Sequence, residues 1–304
     1  MSELSKHLDD YLHLRRALGF KLTYPGQALP QFLVYLEAKG ATKITTNLAI
    51  AWAGLATDAL PVHRAHRLGA VRGFARYLAA IDPETEVPPT GVWSTRTSRR
   101  TPFVFSDDDL TRLLDGAGGL SPELRGATLA ALFGLLASSG MRVGEALGLE
   151  RNDVDLARGV ITIREAKFDR SRIVPLHETT TKALGAYAQR RDDLLARPSS
   201  SRFFLVGPSQ PLRYRAALSA FIEITAALGL RSGPVLPRIH DLRHHFAISS
   251  LLEWHQSRLR PENWMAMLSI YLGHVDPSGT YWYLSATPQL MELVASRLIE
   301  GGAK

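Results

Sequence analysis

The chain has 304 residues and 33.5 kDa, enough for one large domain or two modest ones, and 45% hydrophobic with 21% charged residues exclude a disordered or collagen-like chain. No cysteine occurs, which excludes disulfides, thiolate catalysis, cysteine-ligated zinc fingers and iron–sulfur clusters. Thirty-six Lys and Arg against 29 Asp and Glu leave +7 and a pI near 9.8, a balance that favours polyanionic partners or is simply that of a basic soluble protein.

The first residues, MSELSKHLDDY, lack the apolar stretch of a signal peptide, and the most apolar run, Ala127 to Ala137, is too short to span a bilayer, so an intracellular, cytoplasmic protein is expected. From Leu4 to Ala80, apolar residues recur at spacings of three and four, as in Tyr11, Leu14, Leu18 and Phe32, Leu33, Leu36. Gly19, the Pro25-Gly26 pair, Gly40 and the cap-like Thr45-Thr46-Asn47 punctuate this stretch, which predicts a bundle of three to four short helices. Residues 1–100 hold 13 Lys/Arg and 8 Asp/Glu, so +5 of the whole +7 lies there, as a nucleic-acid surface or as an ordinary solvated helix face.

A break with little periodicity runs from Asp82 to Pro102 and combines Pro, Gly, Ser and Thr with three arginines. It divides the chain into residues 1–85, a linker at 86–104 and a second domain at 105–304. Ser106 reads as an N-cap for DDDLTRLLDGA, with acidic residues in the first turn. Ser121-Pro122-Glu123 repeats that logic, with Pro at the first helical position, and leads into the apolar ATLAALFGLLASSG, the predicted core helix. RVGEALGL predicts a short helix ending near Gly148. GVITIR and SRIVPL alternate as β-strands and predict an antiparallel hairpin. From Thr179 onward the pattern is helical, giving a mainly α chain with a small antiparallel sheet.

The candidates for chemistry are Arg142, Lys167, His240, Arg243, His274 and Tyr283, whose significance lies in their order and setting, none being decisive alone. His-x-x-Arg alone means little, since it occurs three times, at His13/Arg16, His240/Arg243 and His255/Arg258. In HDLRHHFA, however, positions i and i+3 of a helix set imidazole and guanidinium side by side on one face. A zinc reading of His240 with His244 lacks the Glu of His-Glu-x-x-His, because Asp241 stands there.

SSGMRVGEALGL, KFDRSRIVPL, HDLRHHFA, YLGHVD and TYWYL, in that order and setting, resemble the motif set of the tyrosine recombinases, or phage integrase family, over Phe105 to Glu300. The resemblance implies a C-terminal tyrosine recombinase catalytic domain behind an N-terminal helical, SAM-like core-binding domain that clamps DNA. It makes Arg142 and Arg243 the pair that holds the non-bridging oxygens of the scissile phosphate, a task suited to a planar, permanently charged group. The alternative for Arg142 is a surface arginine paired with Glu145. Lys167, the one lysine of the hairpin turn, would protonate the leaving 5′ oxygen, against the alternative of an exposed turn lysine. His240 would accept the tyrosine's proton or contact the phosphate, and His274 would donate to a non-bridging oxygen; His244 and His245 compete for attention. Tyr283, nine residues after His274, would be the nucleophile, with Tyr281 its rival and Trp282 a packing residue. Thr287-Pro288 opens a last helix with Leu290, Leu293, Val294 and Leu298 on one face, to dock on a neighbouring protomer or on its own domain.

The family implies a site-specific DNA recombinase or integrase, of the kind mobile elements carry, working through a 3′-phosphotyrosyl intermediate. Its expected partners are duplex recombination sites and three further copies of itself in a homotetramer, with no metal or nucleotide cofactor, no membrane and no small-molecule substrate. A type IB topoisomerase-like enzyme and an inactive DNA-binding accessory protein are the competing readings.

Overall fold

The computed structural model describes residues 3–57, 59–95, 100–164, 171–195, 198–256, 264–273 and 278–285. The chain divides into two compact units, Met1–Arg100 and Thr101–Lys304.

The first unit holds four helices: α1 (Glu3–Ala17), α2 (Thr23–Ala38), α3 (Thr46–Gly54) and α4 (Pro61–Leu78). Each turns one stripe inward, with Tyr11 and Leu12, Leu29, Phe32 and Leu36, Trp52, and Leu68, Val71 and Phe74 forming a common core. Thr45 caps α3 by accepting from the Leu48 N–H at 3.3 Å. The Pro25-Gly26 pair does not separate helices as expected. It lies in the first turn of α2, where the missing proline N–H has no intrahelical acceptor to lose. Part of the stretch expected as linker is tied to this unit: the Thr46 N–H donates to Glu86 Oε2 at 2.7 Å, and Arg72 Nε donates to the Pro88 carbonyl at 2.8 Å.

In the second unit, α5 (Asp107–Gly118) starts at Ser106, whose hydroxyl accepts from the Asp109 N–H while Asp109 returns the bond to Ser106 N–H, a full capping box. α6 (Glu123–Ser139) is the core helix: Leu129, Leu132, Phe133, Leu135 and Leu136 are all buried, and it packs on α5 and on two later helices. Its start differs from the expectation, because Pro122 occupies the N-cap position and Ser121 caps nothing. α7 (Val143–Gly148) follows and leads into a three-stranded antiparallel sheet of β1 (Val154–Asp155), β2 (Val160–Arg164) and β3 (Ser171–Pro175), with Ile163 opposite Arg172. Then come α8 (Glu178–Leu194), α9 (Tyr214–Ala227), α10 (Ile239–Gln256), α11 (Trp264–Leu272), α12 (Ser278–Tyr281) and a 3-10 turn at Trp282–Ser285.

A second two-stranded pair, β4 (Leu205–Gly207) with β5 (Gln210–Pro211), was not expected, since strands of three and two residues are too short to show alternation. None of the described helices is long and apolar enough to cross a membrane. The hairpin turn with Lys167, the segment with His274, and the tail with Thr287-Pro288, Leu290, Leu293, Val294 and Leu298 lie outside the described residues.

Candidate active site

The site is built where α6 ends. Gly140 closes α6 in the left-handed region at φ +59°, and its N–H donates back to the Leu136 carbonyl. That turn frees Met141 and Arg142 from the helix and sets Arg142 at the N-cap of α7. A Cβ on residue 140 would collide with the Phe246 ring and stand 2.9 Å from Leu272 Cδ2. Gly140→Ala is therefore expected to destabilise the protein by about 2–4 kcal/mol, from left-handed strain plus overpacking, read as a lowered midpoint in urea unfolding. An unchanged midpoint would show that the turn relaxes freely.

Arg142 uses three donors at once. Its backbone N–H donates to Glu145 Oε2 at 2.9 Å, Nη1 to Glu145 Oε1 at 2.7 Å, and Nη2 to the Gly273 carbonyl at 2.9 Å. The pairing with Glu145 that the alternative reading expected is thus present, and Arg142 is bonded to the Gly273 carbonyl besides. The carboxylate is shared with Arg172 of β3, which donates from Nη1 at 3.1 Å and from Nη2 at 2.7 Å. Burial works to raise the Glu145 pKa, yet the bonds from Arg172 and Arg142 outweigh it and hold the carboxyl below its usual range. Glu145 stays ionised and fixes both guanidiniums while 40% of the Arg142 side chain remains open to solvent.

Arg243 projects from α10 and is 2% exposed. Nη1 donates to the Gly140 carbonyl at 2.7 Å and Nη2 to the Leu272 carbonyl at 2.8 Å. The two arginines are therefore moored to consecutive carbonyls, Leu272 and Gly273, at the C-terminal end of α11, the negative end of its dipole. Burial, then the nearby charge of Arg142, lowers the Arg243 pKa to about 10, with Tyr283 and Glu145 opposing. It remains a cation at neutral pH. Gly273, at φ +67°, lets the chain turn beneath the Arg172 guanidinium, whose Nη1 would stand 2.8 Å from a Cβ there.

His240 is exposed on one side, but the protein crowded around its ring, then the charges of Arg243, Arg238 and Arg142, push its pKa below the ordinary histidine value; Asp241 opposes this. It is the neutral imidazole at pH 7. Tyr283, 2% exposed, is buried among Ala247, Ile248, Leu251, Leu268 and Leu272. Its hydroxyl lies 3.1 Å from Nδ1 of His244, which stacks edge to face on His240 with centroids 4.6 Å apart. Tyr281 is 57% exposed. Tyr271 donates to the Pro175 carbonyl at 3.2 Å, and burial raises its pKa to about 12. Trp282 packs against His244 and Tyr283, at 5.2 and 5.5 Å between centroids. His245 faces away and binds the Phe105 carbonyl at 3.1 Å.

The fold therefore gathers Arg142, His240, Arg243 and Tyr283 around one centre, while Lys167 and His274 lie outside the described residues. Sequence reasoning had not assigned roles to Arg172, Glu145 or His244. A signal existed for Arg172, because period two puts it on the same strand face as the buried Val174, where a charged side chain demands a partner.

Residues 104–289 match the family model described as the phage integrase family. Over 306 residues the chain is 40% identical to a putative integrase/recombinase, y4rB, of Sinorhizobium fredii, covering 98% of each. It is 36% identical over 202 residues to tyrosine recombinase XerD of Mycobacterium tuberculosis, covering 63% of this chain and 61% of that one. Among solved structures it is similar in fold to the Tn1549 transposon integrase in complex with transposon right end DNA, at TM-score 0.63 and 15% identity over 96% of this chain and 99% of that one. It is likewise similar to a lambda integrase tetramer bound to a Holliday junction, at TM-score 0.59 and 17% identity over 90% and 78%.

Proposed function

This chain belongs to the phage integrase family of tyrosine recombinases, and on that footing we propose that it cuts duplex DNA at a defined site through a 3′-phosphotyrosyl bond to Tyr283 and rejoins the end to a partner strand. The observation that carries the residue assignment is the mooring of two guanidiniums on neighbouring carbonyls beside one buried phenol. Arg142 and Arg243 supply positive charge of the kind that stabilises the negative charge a phosphoryl transition state gathers, and their hydrogen bonds hold that charge in place. Arg142 keeps an open face for one non-bridging oxygen, and neutral His240 offers a further contact. The family resemblance supports His274 as a donor to the phosphate and Lys167 as the acid for the leaving 5′ oxygen.

In cleavage the Tyr283 oxygen bonds to phosphorus, the bond to the 5′ oxygen breaks, and that oxygen takes a proton. The phosphotyrosyl bond keeps the energy of the broken linkage, so a 5′ hydroxyl of a second strand can attack it and reverse the sequence without a nucleotide cofactor.

Residues 1–85 serve as a helical clamp, residues 86–104 as the connection and residues 105–304 as the catalytic part. The +5 carried by residues 1–100 supports the clamp, because neutralising phosphates releases counterions and adds affinity at any sequence. A homotetramer pairs two duplex sites, in keeping with the lambda integrase tetramer that the chain resembles in fold. The cytoplasm, where its DNA would lie, is its place of action.

With a nicked suicide duplex and EDTA, wild-type protein is expected to form an SDS-stable protein–DNA adduct whose position maps the site. Plasmids with two such sites should yield joined products, and plasmids with one should not. No adduct on any duplex would overturn the enzyme reading in favour of an accessory DNA-binding protein. Relaxation of a supercoiled one-site plasmid without joining would favour topoisomerase-like action.

A further inference from the structure

We infer that His244 is the base that takes the phenolic proton of Tyr283, while His240, one turn earlier on α10, serves the phosphate. The inference rests on the strand-cleavage reading and assigns a group within it. A general base must lie within about 2.6–3.2 Å of the atom it deprotonates, and His244 Nδ1 stands 3.1 Å from the Tyr283 hydroxyl.

A buried carboxylate stands near that imidazole. Nε2 of the same ring lies 4.0 Å from Asp241 Oδ1, one turn back on α10. Asp241 is fully buried and held by Arg238, which donates from its backbone N–H at 2.8 Å, from Nε at 3.1 Å and from Nη2 at 2.7 Å. At that distance the carboxylate makes no hydrogen bond to the ring, but its negative charge stabilises an imidazolium once formed, so a proton taken up at Nδ1 from the phenol would be favoured there. His244 is 9% exposed and its ring is bounded by His240 and Trp282, so it is held in this pose. The imidazole thus has a buried carboxylate 4.0 Å from one nitrogen and the nucleophile's hydroxyl 3.1 Å from the other, so a charge that develops on the ring has a counter-charge nearby.

The step balances. The Tyr283 proton passes to His244 Nδ1 as the oxygen–phosphorus bond forms. The bond to the 5′ oxygen breaks, and that oxygen is protonated by the general acid of the reaction, the role given to Lys167. On rejoining, the incoming 5′ hydroxyl gives its proton back to the now neutral amine of the general acid as its oxygen bonds to phosphorus, the tyrosine oxygen leaves, and the imidazolium returns the other proton to that phenolate.

His244→Asn tests this, because its amide sits near the place of Nδ1 and can hydrogen-bond the phenol without accepting its proton; His244→Gln is a second variant should the first fold poorly. Each is compared with wild type on suicide duplexes carrying either the ordinary 5′ oxygen or a bridging 5′ sulfur, which departs without protonation. The expected result is a wild-type melting temperature and DNA affinity with adduct formation slowed by about 10²–10³-fold on both duplexes, whereas Lys167→Ala is restored by sulfur. Wild-type rates for a folded His244 variant, or restoration of its rate by sulfur, would overturn the assignment. Absence of adduct in the wild type would instead overturn the strand-cleavage reading on which it rests.

Discussion

Tyr283→Phe is expected to abolish the covalent adduct, with a loss of at least about 10⁴-fold, while Tyr281→Phe stays within about twofold of wild type. The reasoning is geometric. The Tyr283 ring is 2% exposed and packed among aliphatic side chains, and Phe fills the same volume, so the fold survives. Removing the hydroxyl gives up the bond with His244, about 1 kcal/mol of stability, and takes away the atom that would join phosphorus. Tyr281 is 57% exposed and has no comparable setting. Adduct formation on the suicide duplex, with melting and DNA affinity measured in parallel, checks this. An adduct that persists in Tyr283→Phe and vanishes in Tyr281→Phe would move the nucleophile by two residues.

Arg243→Lys keeps the charge and is still expected to slow cleavage by about 10²–10³-fold, the usual cost of one preorganised donor. The guanidinium bridges the Gly140 and Leu272 carbonyls at 2.7 and 2.8 Å and must also face the phosphate, a fan of donors that one compact ammonium cannot reproduce. Leaving one buried carbonyl unmatched adds a stability loss of about 1–3 kcal/mol. Single-turnover adduct formation at saturating DNA separates the two effects, since a rate loss that survives saturation and moderate cooling cannot come from unfolding or weak binding. A lysine variant within threefold of wild type would mean that Arg243 holds the ends of α6 and α11 in place and leaves the phosphate to Arg142.

Both predictions depend on features that were unequally visible in the linear chain. The amphipathic spacing of Phe32, Leu33 and Leu36, the Ser106 cap, the apolar run that became α6 and the alternation of GVITIR and SRIVPL each express a local rule, so helices, hairpin and core helix could be read without a fold. The short pair β4 and β5 obeys no such rule. Its strands exist because Thr128 of α6 and Tyr187 of α8 bind the Leu205 carbonyl and N–H, contacts made across 77 and 18 residues of chain.

The candidate site divides the same way. The order of the motifs carried the resemblance to the tyrosine recombinases, and with it came Arg142, Lys167, His240, Arg243, His274 and Tyr283 as the expected groups. Only the tertiary structure decided which partners those groups have. It showed that Glu145 is divided between Arg142 and Arg172, that the Leu272 and Gly273 carbonyls moor Arg243 and Arg142, and that His244 meets the phenol. Local patterns are written every two or three to four residues and survive in any chain segment. A hydrogen bond between residues 39, 103 or 131 positions apart exists only after the helices that carry them have packed, and no periodicity records it.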